Sequence, residues 1–232
     1  MFDEKEIKKL SSRVVNATKR LHDGGILAGP GGNISMRTSN SNQILISPTG
    51  IPIREMLVDD ICLVDISKIN NGEYTVINGK YQPTSEILIH ARIYMNRPEI
   101  KAIIHSHAPT VTAYACTNEE INFKIHEDQS CYIGDIDYIP YVYSSTKELA
   151  DLAVPRLIKN YALILRNHGV FALGDSLCEA VNITELLEHL AKVSFLAKLI
   201  GNGKVNELPE NYWKECSVIP RSGLIYQDEL FD

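Results

Sequence analysis

The chain has 232 residues, of which 44% are hydrophobic and 22% charged, and carries a formal net charge of −6 with 23 Lys and Arg against 29 Asp and Glu. These proportions suit a globular chain with a substantial core and exclude disorder or a collagen-like repeat. The lack of a basic stripe argues against a nucleic-acid partner, and the lack of a roughly 20-residue apolar run or an apolar signal core argues against a membrane span, so the sequence reads as cytoplasmic.

Residues 4–23 place Ile7, Leu10, Val14, Ala17 and Leu21 at helical spacing, and Gly24-Gly25 then stop the helix. The stretch "LAGPGGNISMR" is rich in glycine but lacks GxGxxG spacing, and no strand plainly precedes it, so a dinucleotide fingerprint fails. It reads either as a turn of glycines at positive φ or as a nest of backbone N–H groups around Gly32 and Asn33 that holds a phosphate. "NQILISPTG" and "DICLVDI" read as short strands, and their Pro-Thr-Gly turn would add the Thr49 hydroxyl and the Gly50 N–H to such a nest. Thr84 or Ser85 caps a helix running to about Asn96. "KAIIHSHA" is the next strand, residues 109–118 a helix, and "YALILRN" and "VFALG" two strands about Asn167-His168-Gly169. Residues 176–200 form a long apolar helix.

Strands and helices therefore alternate in one α/β domain spanning 1–232, with no Ser/Gly linker and no internal repeat. The motifs fall within about 5–200. The last thirty residues, with Trp213, Pro220 and Tyr226, read as an irregular C-terminal arm over about 201–232 that packs on another surface. Five scattered cysteines (Cys62, Cys116, Cys131, Cys178 and Cys216) form no CxxC pair and read as buried, reduced thiols.

Alternation along "IIHSHA" sends Ile103, His105 and His107 to one face and Ile104 and Ser106 to the other. Two imidazoles on one face offer two nitrogen ligands to a metal ion, against the plainer reading of satisfied core histidines. His168, in the connection between two apolar strands, is a third; three histidines fit an open catalytic zinc site with one position left for water or substrate. His22, His90 and His189 read as structural. Glu86 falls in the first turn of its helix, where a carboxylate favours the dipole. Thr84 and Ser85 at the same helix start would attract an anion, and a carboxylate beside an anion site is a conflict that a nearby cation would offset.

In order, "AGPGGNISMR", "ISPTG", "PTSEILIHARIY", "IIHSHAPTVTAYA" and "LRNHGVFALG" closely resemble the class II (zinc) sugar-phosphate aldolase and adducin family over about residues 5–200. The resemblance implies a three-layer α/β/α domain around a mainly antiparallel central sheet, assembled as a homotetramer with the active site at the subunit boundary. It implies that His105, His107 and His168 are the zinc ligands and that Glu86 ligates the resting metal and then acts as acid/base. Gly32, Asn33, Thr49, Gly50, Thr84 and Ser85 match the family's phosphate cradle. This sequence departs at Pro30-Gly31, where relatives often carry Thr or Ser, and has Thr84 where many have Ser.

The chemistry gives these parts a reason. Cleaving a C–C bond beside a ketone leaves an enediolate, which a divalent cation stabilises as a Lewis acid. Imidazoles bring no negative charge to that cation, and they suit Zn²⁺, Mn²⁺ or Co²⁺ alike. The resemblance favours an aldolase acting on a phosphorylated ketose such as L-fuculose 1-phosphate. Its alternatives are L-ribulose-5-phosphate 4-epimerase, a family dehydratase or decarboxylase, and a non-enzymatic module like the adducin head. An epimerase needs further acid/base groups on the far side of the substrate, where Asp128 resembles its acidic position. An aldolase would use a tyrosine, Tyr132 or Tyr226.

Overall fold

The computed structural model describes residues 3–212 and 227–232. Helix α1 spans Glu4–Asp23, opened by the Asp3 carboxylate, which accepts from the backbone N–H groups of Lys5 and Glu6. There follow β1 (Asn33–Arg37), β2 (Gln43–Ile46), β3 (Cys62–Asp65), β4 (Thr75–Asn78), α2 (Ile87–Asn96), β5 (Ala102–Ser106) and α3 (Pro109–Ala115). Then come α4 (Glu127–Tyr132), β6 (Ile136–Ile139), α5 (Lys147–Leu157), β7 (Ala162–Leu165), β8 (Gly169–Gly174) and α6 (Leu177–Ile200).

The strands form one eight-stranded sheet in the order β4-β3-β2-β1-β5-β8-β7-β6. Every pairing is antiparallel except the edge pair β6–β7, which α5 connects in parallel. Helices α1, α3 and α6 pack on one face, over Ile34, Ile104 and Val170, and α2 and α5 cover the other, over Ile103, Phe171 and Leu173. The expected α/β/α layering is therefore present. It also explains why β1, β5 and β8 are buried along their whole length: a strand covered on both faces has no wet side to mark it.

Several expectations need correction. The glycine-rich stretch does not stay a loop: from Asn33 it becomes β1, in the middle of the sheet. Strands β4 and β6 and helices α4 and α5 were not foreseen; α5 contains Pro155 and is capped by the Thr146 hydroxyl. Helix α2 is not capped by Thr84 or Ser85. Glu86 occupies the cap position, and the Thr84 carbonyl accepts from Ile87 N–H. Cys62 and Cys178 are buried thiols but Cys116 is exposed, while Cys216 and the side chain of Cys131 lie outside the described residues. The end of the expected arm docks on this chain's own α1. Phe231 is buried there, and the Asp232 carboxylate takes the Arg13 guanidinium at 2.5 Å.

Candidate metal centre

Register builds the centre. Asn33 of β1 and Phe171 of β8 are the cross-strand partners of His105, so all three side chains stand on the face that α2 covers. The His105 ring stacks on Phe171 at 4.6 Å between centroids, and its Nδ1 donates to the Val170 carbonyl at 3.2 Å. That bond fixes the tautomer and leaves the Nε2 lone pair for a ligand. His107 lies one residue beyond the end of β5 and is exposed, with Nε2 at 3.1 Å from His105 Nε2. His168 stands in the turn between β7 and β8, where Asn167 takes a positive φ of 57°. One ring nitrogen from each of the three lies within 4.8 Å of the others.

Two glycines make that convergence possible. A Cβ on Gly169 would overlap the Ser106 carbonyl and come within 2.8 Å of His107 Cδ2, and one on Gly31 would meet His107 Nδ1 at 2.9 Å. Only glycine lets the backbones and the rings approach this closely.

Glu86 faces the triad from the start of α2. Its Oε2 lies 3.2 Å from His105 Nε2 and its Oε1 lies 3.6 Å from His168 Nε2, although the side chain is only 7% exposed. Burial, reinforced by His168 and then His107, holds the His105 imidazole well below the ordinary histidine value. His107, exposed as a residue, is lowered by the partial loss of solvent around its ring and by His168. Neutral rings keep their lone pairs, as metal ligands must. Two buried atoms of the site, Glu86 Oε1 and His168 Nδ1, have no hydrogen-bond partner among the described residues. Tetrahedral zinc with bonds of about 2.0–2.1 Å sets its ligand atoms roughly 3.3 Å apart, close to the 3.1 Å between His105 Nε2 and His107 Nε2 and the 3.6 Å between Glu86 Oε1 and His168 Nε2. The donor set thus fits a divalent cation: three imidazoles, with a carboxylate oxygen otherwise left unsatisfied.

A cleft of about 170 Å³ opens beside the triad. Gly32, Asn33, Thr49, Gly50, Thr84 and Ser85 all line it together with Glu86 and the three histidines. Bonds between backbone groups hold its loops together: Thr49 N–H donates to the Gln82 carbonyl and Thr84 N–H to the Ser47 carbonyl. The Asn33 amide is turned away from a purely ligand-facing role, because its Nδ2 donates to Glu86 Oε2 at 3.0 Å. Pro30 also borders the cleft.

The sequence did not foretell Ser144 and Ser145, which line the cleft from the loop between β6 and α5. Ser145 has a positive φ of 63°, and its hydroxyl donates to Ser85 Oγ at 2.7 Å. No motif marks them; only the left-handed residue ahead of a helix cap hints at a shaped loop. The distal candidates are elsewhere. Asp128 and Tyr132 belong to α4, Asp128 pairs with His126 at 3.4 Å, and neither lines the cleft. Tyr226 lies outside the described residues. Of the remaining histidines, His22 contacts the Leu27 carbonyl and His189 is exposed on α6, whereas His90 is wholly buried behind Asn33. No helix among the described residues is long and apolar enough to cross a membrane.

The model of the family described as "Class II Aldolase and Adducin N-terminal domain" matches residues 12–195. An L-fuculose phosphate aldolase of Methanococcus maripaludis is 33% identical over 190 residues, covering 82% of this chain and 98% of its own. A 3-oxo-tetronate 4-phosphate decarboxylase of Haemophilus influenzae is 30% identical over 186 residues, covering 78% and 85%. A solved structure titled L-fuculose 1-phosphate aldolase superposes with a TM-score of 0.79 at 29% identity, covering 94% of this chain and 96% of its own. Class II aldolases are metal-dependent, and the histidine cluster described above provides a site for the ion. The chain belongs to the class II aldolase and adducin family and is a class II aldolase, an aldehyde-lyase.

Proposed function

We propose that this enzyme cleaves a phosphorylated ketose, such as L-fuculose 1-phosphate or 5-deoxyribulose 1-phosphate, to dihydroxyacetone phosphate and an aldehyde. The observation that carries the proposal is the cleft itself, where three ring nitrogens, one buried carboxylate and a ring of hydroxyl-bearing loop residues meet. His105, His107 and His168, with Glu86 in the resting state, would hold Zn²⁺, or Mn²⁺ or Co²⁺ in its place. A bound divalent cation would supply Lewis-acid stabilisation of the charge that develops on the ketose oxygens.

The remaining work falls to the chain's own groups. The Thr49 and Ser85 hydroxyls, the Thr84 hydroxyl and the backbone at Gly32 and Gly50 would hold the phosphate, with the N-terminus of α2 favouring its charge. Anchoring there sets the reacting carbon against Glu86, a positioning effect. In the synthetic direction the Glu86 carboxylate removes a proton from the carbon beside the dihydroxyacetone phosphate carbonyl, and in cleavage it returns one. Glu86 is the one carboxylate among the described cleft residues, which favours aldol cleavage over an epimerisation that needs a second acid/base group. We place the enzyme in the cytoplasm as a homotetramer whose neighbouring copy would complete the far side of the cleft.

Metal-quantified protein incubated with L-fuculose 1-phosphate, L-rhamnulose 1-phosphate, 5-deoxyribulose 1-phosphate and L-ribulose 5-phosphate tests the reading. Dihydroxyacetone phosphate that disappears with chelator is expected. Xylulose 5-phosphate as the product would overturn it in favour of epimerisation, and neither product from metal-loaded enzyme would direct attention to decarboxylation or dehydration.

A further inference from the structure

Behind Glu86 runs a chain of buried polar groups. The Tyr94 hydroxyl lies 2.9 Å from Ser35 Oγ, Ser35 Oγ lies 2.8 Å from His90 Nδ1, and His90 Nε2 lies 2.6 Å from Asn33 Oδ1. Asn33 Nδ2 then meets Glu86 Oε2 at 3.0 Å. Ser35 and His90 have no exposed surface, Tyr94 has 1%, and Glu86 and Asn33 have 5% and 6%. A purely structural filler at this spot would be apolar, because each buried polar group must be satisfied.

The direction of the chain follows from which atoms can donate. A carboxylate oxygen only accepts, so the Asn33 amide presents Nδ2 to Glu86 and Oδ1 to the ring behind it. His90 must therefore carry its hydrogen on Nε2. Its Nδ1 then accepts from the Ser35 hydroxyl, and Ser35 in turn accepts from Tyr94. Burial keeps the His90 imidazole uncharged, lowered to about 3, and keeps the Tyr94 phenol protonated. The His90 ring is itself pinned edge-on to Phe171 at 5.5 Å, the same ring on which His105 stacks.

We infer that His90 is a positioning residue whose Nε2–H, aligned through Ser35 and Tyr94, holds the Asn33 amide so that it grips Oε2 of Glu86 and leaves Oε1 to face the cleft. Oε1 is the oxygen with no hydrogen-bond partner among the described residues and lies 3.6 Å from His168 Nε2, so the cleft-facing work of Glu86, holding the cation and then moving the proton, falls to that atom. Asn33 thereby belongs to the acid/base apparatus more than to the phosphate cradle. This inference rests on the proposed role of Glu86, but its first test does not depend on any reaction.

Imidazole ¹⁵N NMR of the wild-type protein, metal-free and zinc-loaded, reads the tautomer directly. A protonated Nε2 with a pyridine-like Nδ1 at His90 is expected; the opposite tautomer or an imidazolium would overturn the inference. The second test compares His90→Leu with His90→Gln, whose amide can still donate towards Asn33, and with Ser35→Ala. His90→Leu should lower zinc affinity or kcat by about 10- to 100-fold, as loss of a partner behind a metal ligand usually does. The KM for phosphorylated substrate should stay within about twofold, and His90→Gln should recover much of the loss. Equal loss in both His90 variants, or a change confined to KM, would overturn the inference. If His90→Leu does not fold, the tautomer and the Ser35→Ala zinc affinity decide. An inactive wild type with the expected tautomer would refute the aldolase reading alone, while an active wild type with the wrong tautomer would refute the positioning role alone.

Discussion

The cleft has two walls of different construction. One is built from β1, β5, β8 and the first residues of α2, where the strands pair on both sides and Glu86, His105 and His90 are buried. The other is the loop between β6 and α5, whose exposed Ser144 and Ser145 close the cleft opposite the sheet. The first wall fixes the backbone beneath its chemical groups by strand pairing on both sides. The second offers the exposed hydroxyls of Ser144 and Ser145 on a loop that also carries the exposed rings of Tyr141 and Tyr143 outside the cleft. This is the usual division between a rigid scaffold that carries the reaction and loops that choose the substrate. Relatives named for both an aldolase and a decarboxylase fit that division, since two chemistries can share one wall and differ at the other.

The largest predicted effect is on the rigid wall. His107→Ala or His168→Ala should empty the metal site and bring turnover below detection, read by metal analysis of the purified protein; an unchanged metal content would remove those residues from the ligand set. Glu86→Gln should keep the metal and slow turnover by about 10²-fold or more, the ordinary cost of losing a general base. Full activity in that variant would break the comparison at its centre.

How much of this wall was legible depended on how local its cause was. His105 and His107 declare themselves by alternation within four residues, and His168 by a turn between two apolar runs. The neighbourhood of Asn33 and His105, by contrast, is created by β1 pairing with β5, and β1 was hidden because it follows glycines and shows no wet-dry alternation. His90, Ser35 and Tyr94 meet only once α2 lies across that strand pair, so His90 reads from sequence as an ordinary core residue. The second wall was less legible still. Strand β6 is four residues long, α5 holds a proline, and Ser145 adopts a left-handed conformation that its own sequence does not require.

A smaller effect separates the phosphate loops from the acid/base apparatus. Ser85→Ala or Thr49→Ala should raise KM for phosphorylated substrates by about 10-fold, equivalent to losing one hydrogen bond to a charged group of about 1.5 kcal/mol. Unphosphorylated analogues should be unaffected. Asn33→Ala should behave differently, lowering kcat more than it raises KM, because the amide grips Glu86. If Asn33→Ala changed KM alone, the residue would return to the cradle that the sequence motif suggests.

The smallest effect concerns stability, and it tests whether the buried side of the rigid wall is neutral. The folded chain holds His90 uncharged down to about pH 3, whereas the unfolded chain protonates it near the ordinary value of 6.5. Stability from this group is complete above that ordinary value, falls as the pH drops through it because the unfolded state then binds the extra proton, and levels off near 3. Between pH 6.5 and 5.5 the loss from one such residue is about 1 kcal/mol. Denaturant unfolding of metal-free protein at the two pH values should therefore show a fall that is smaller by about that amount in His90→Gln. His105 and His107, which remain in the variant, are lowered too, so the slope should shrink without vanishing. An identical slope in the two proteins would mean that His90 accepts a proton in the folded state. Its Nδ1 would then donate instead of accepting, and the hydrogen-bond direction that aims Asn33 at Glu86 would no longer be fixed from behind.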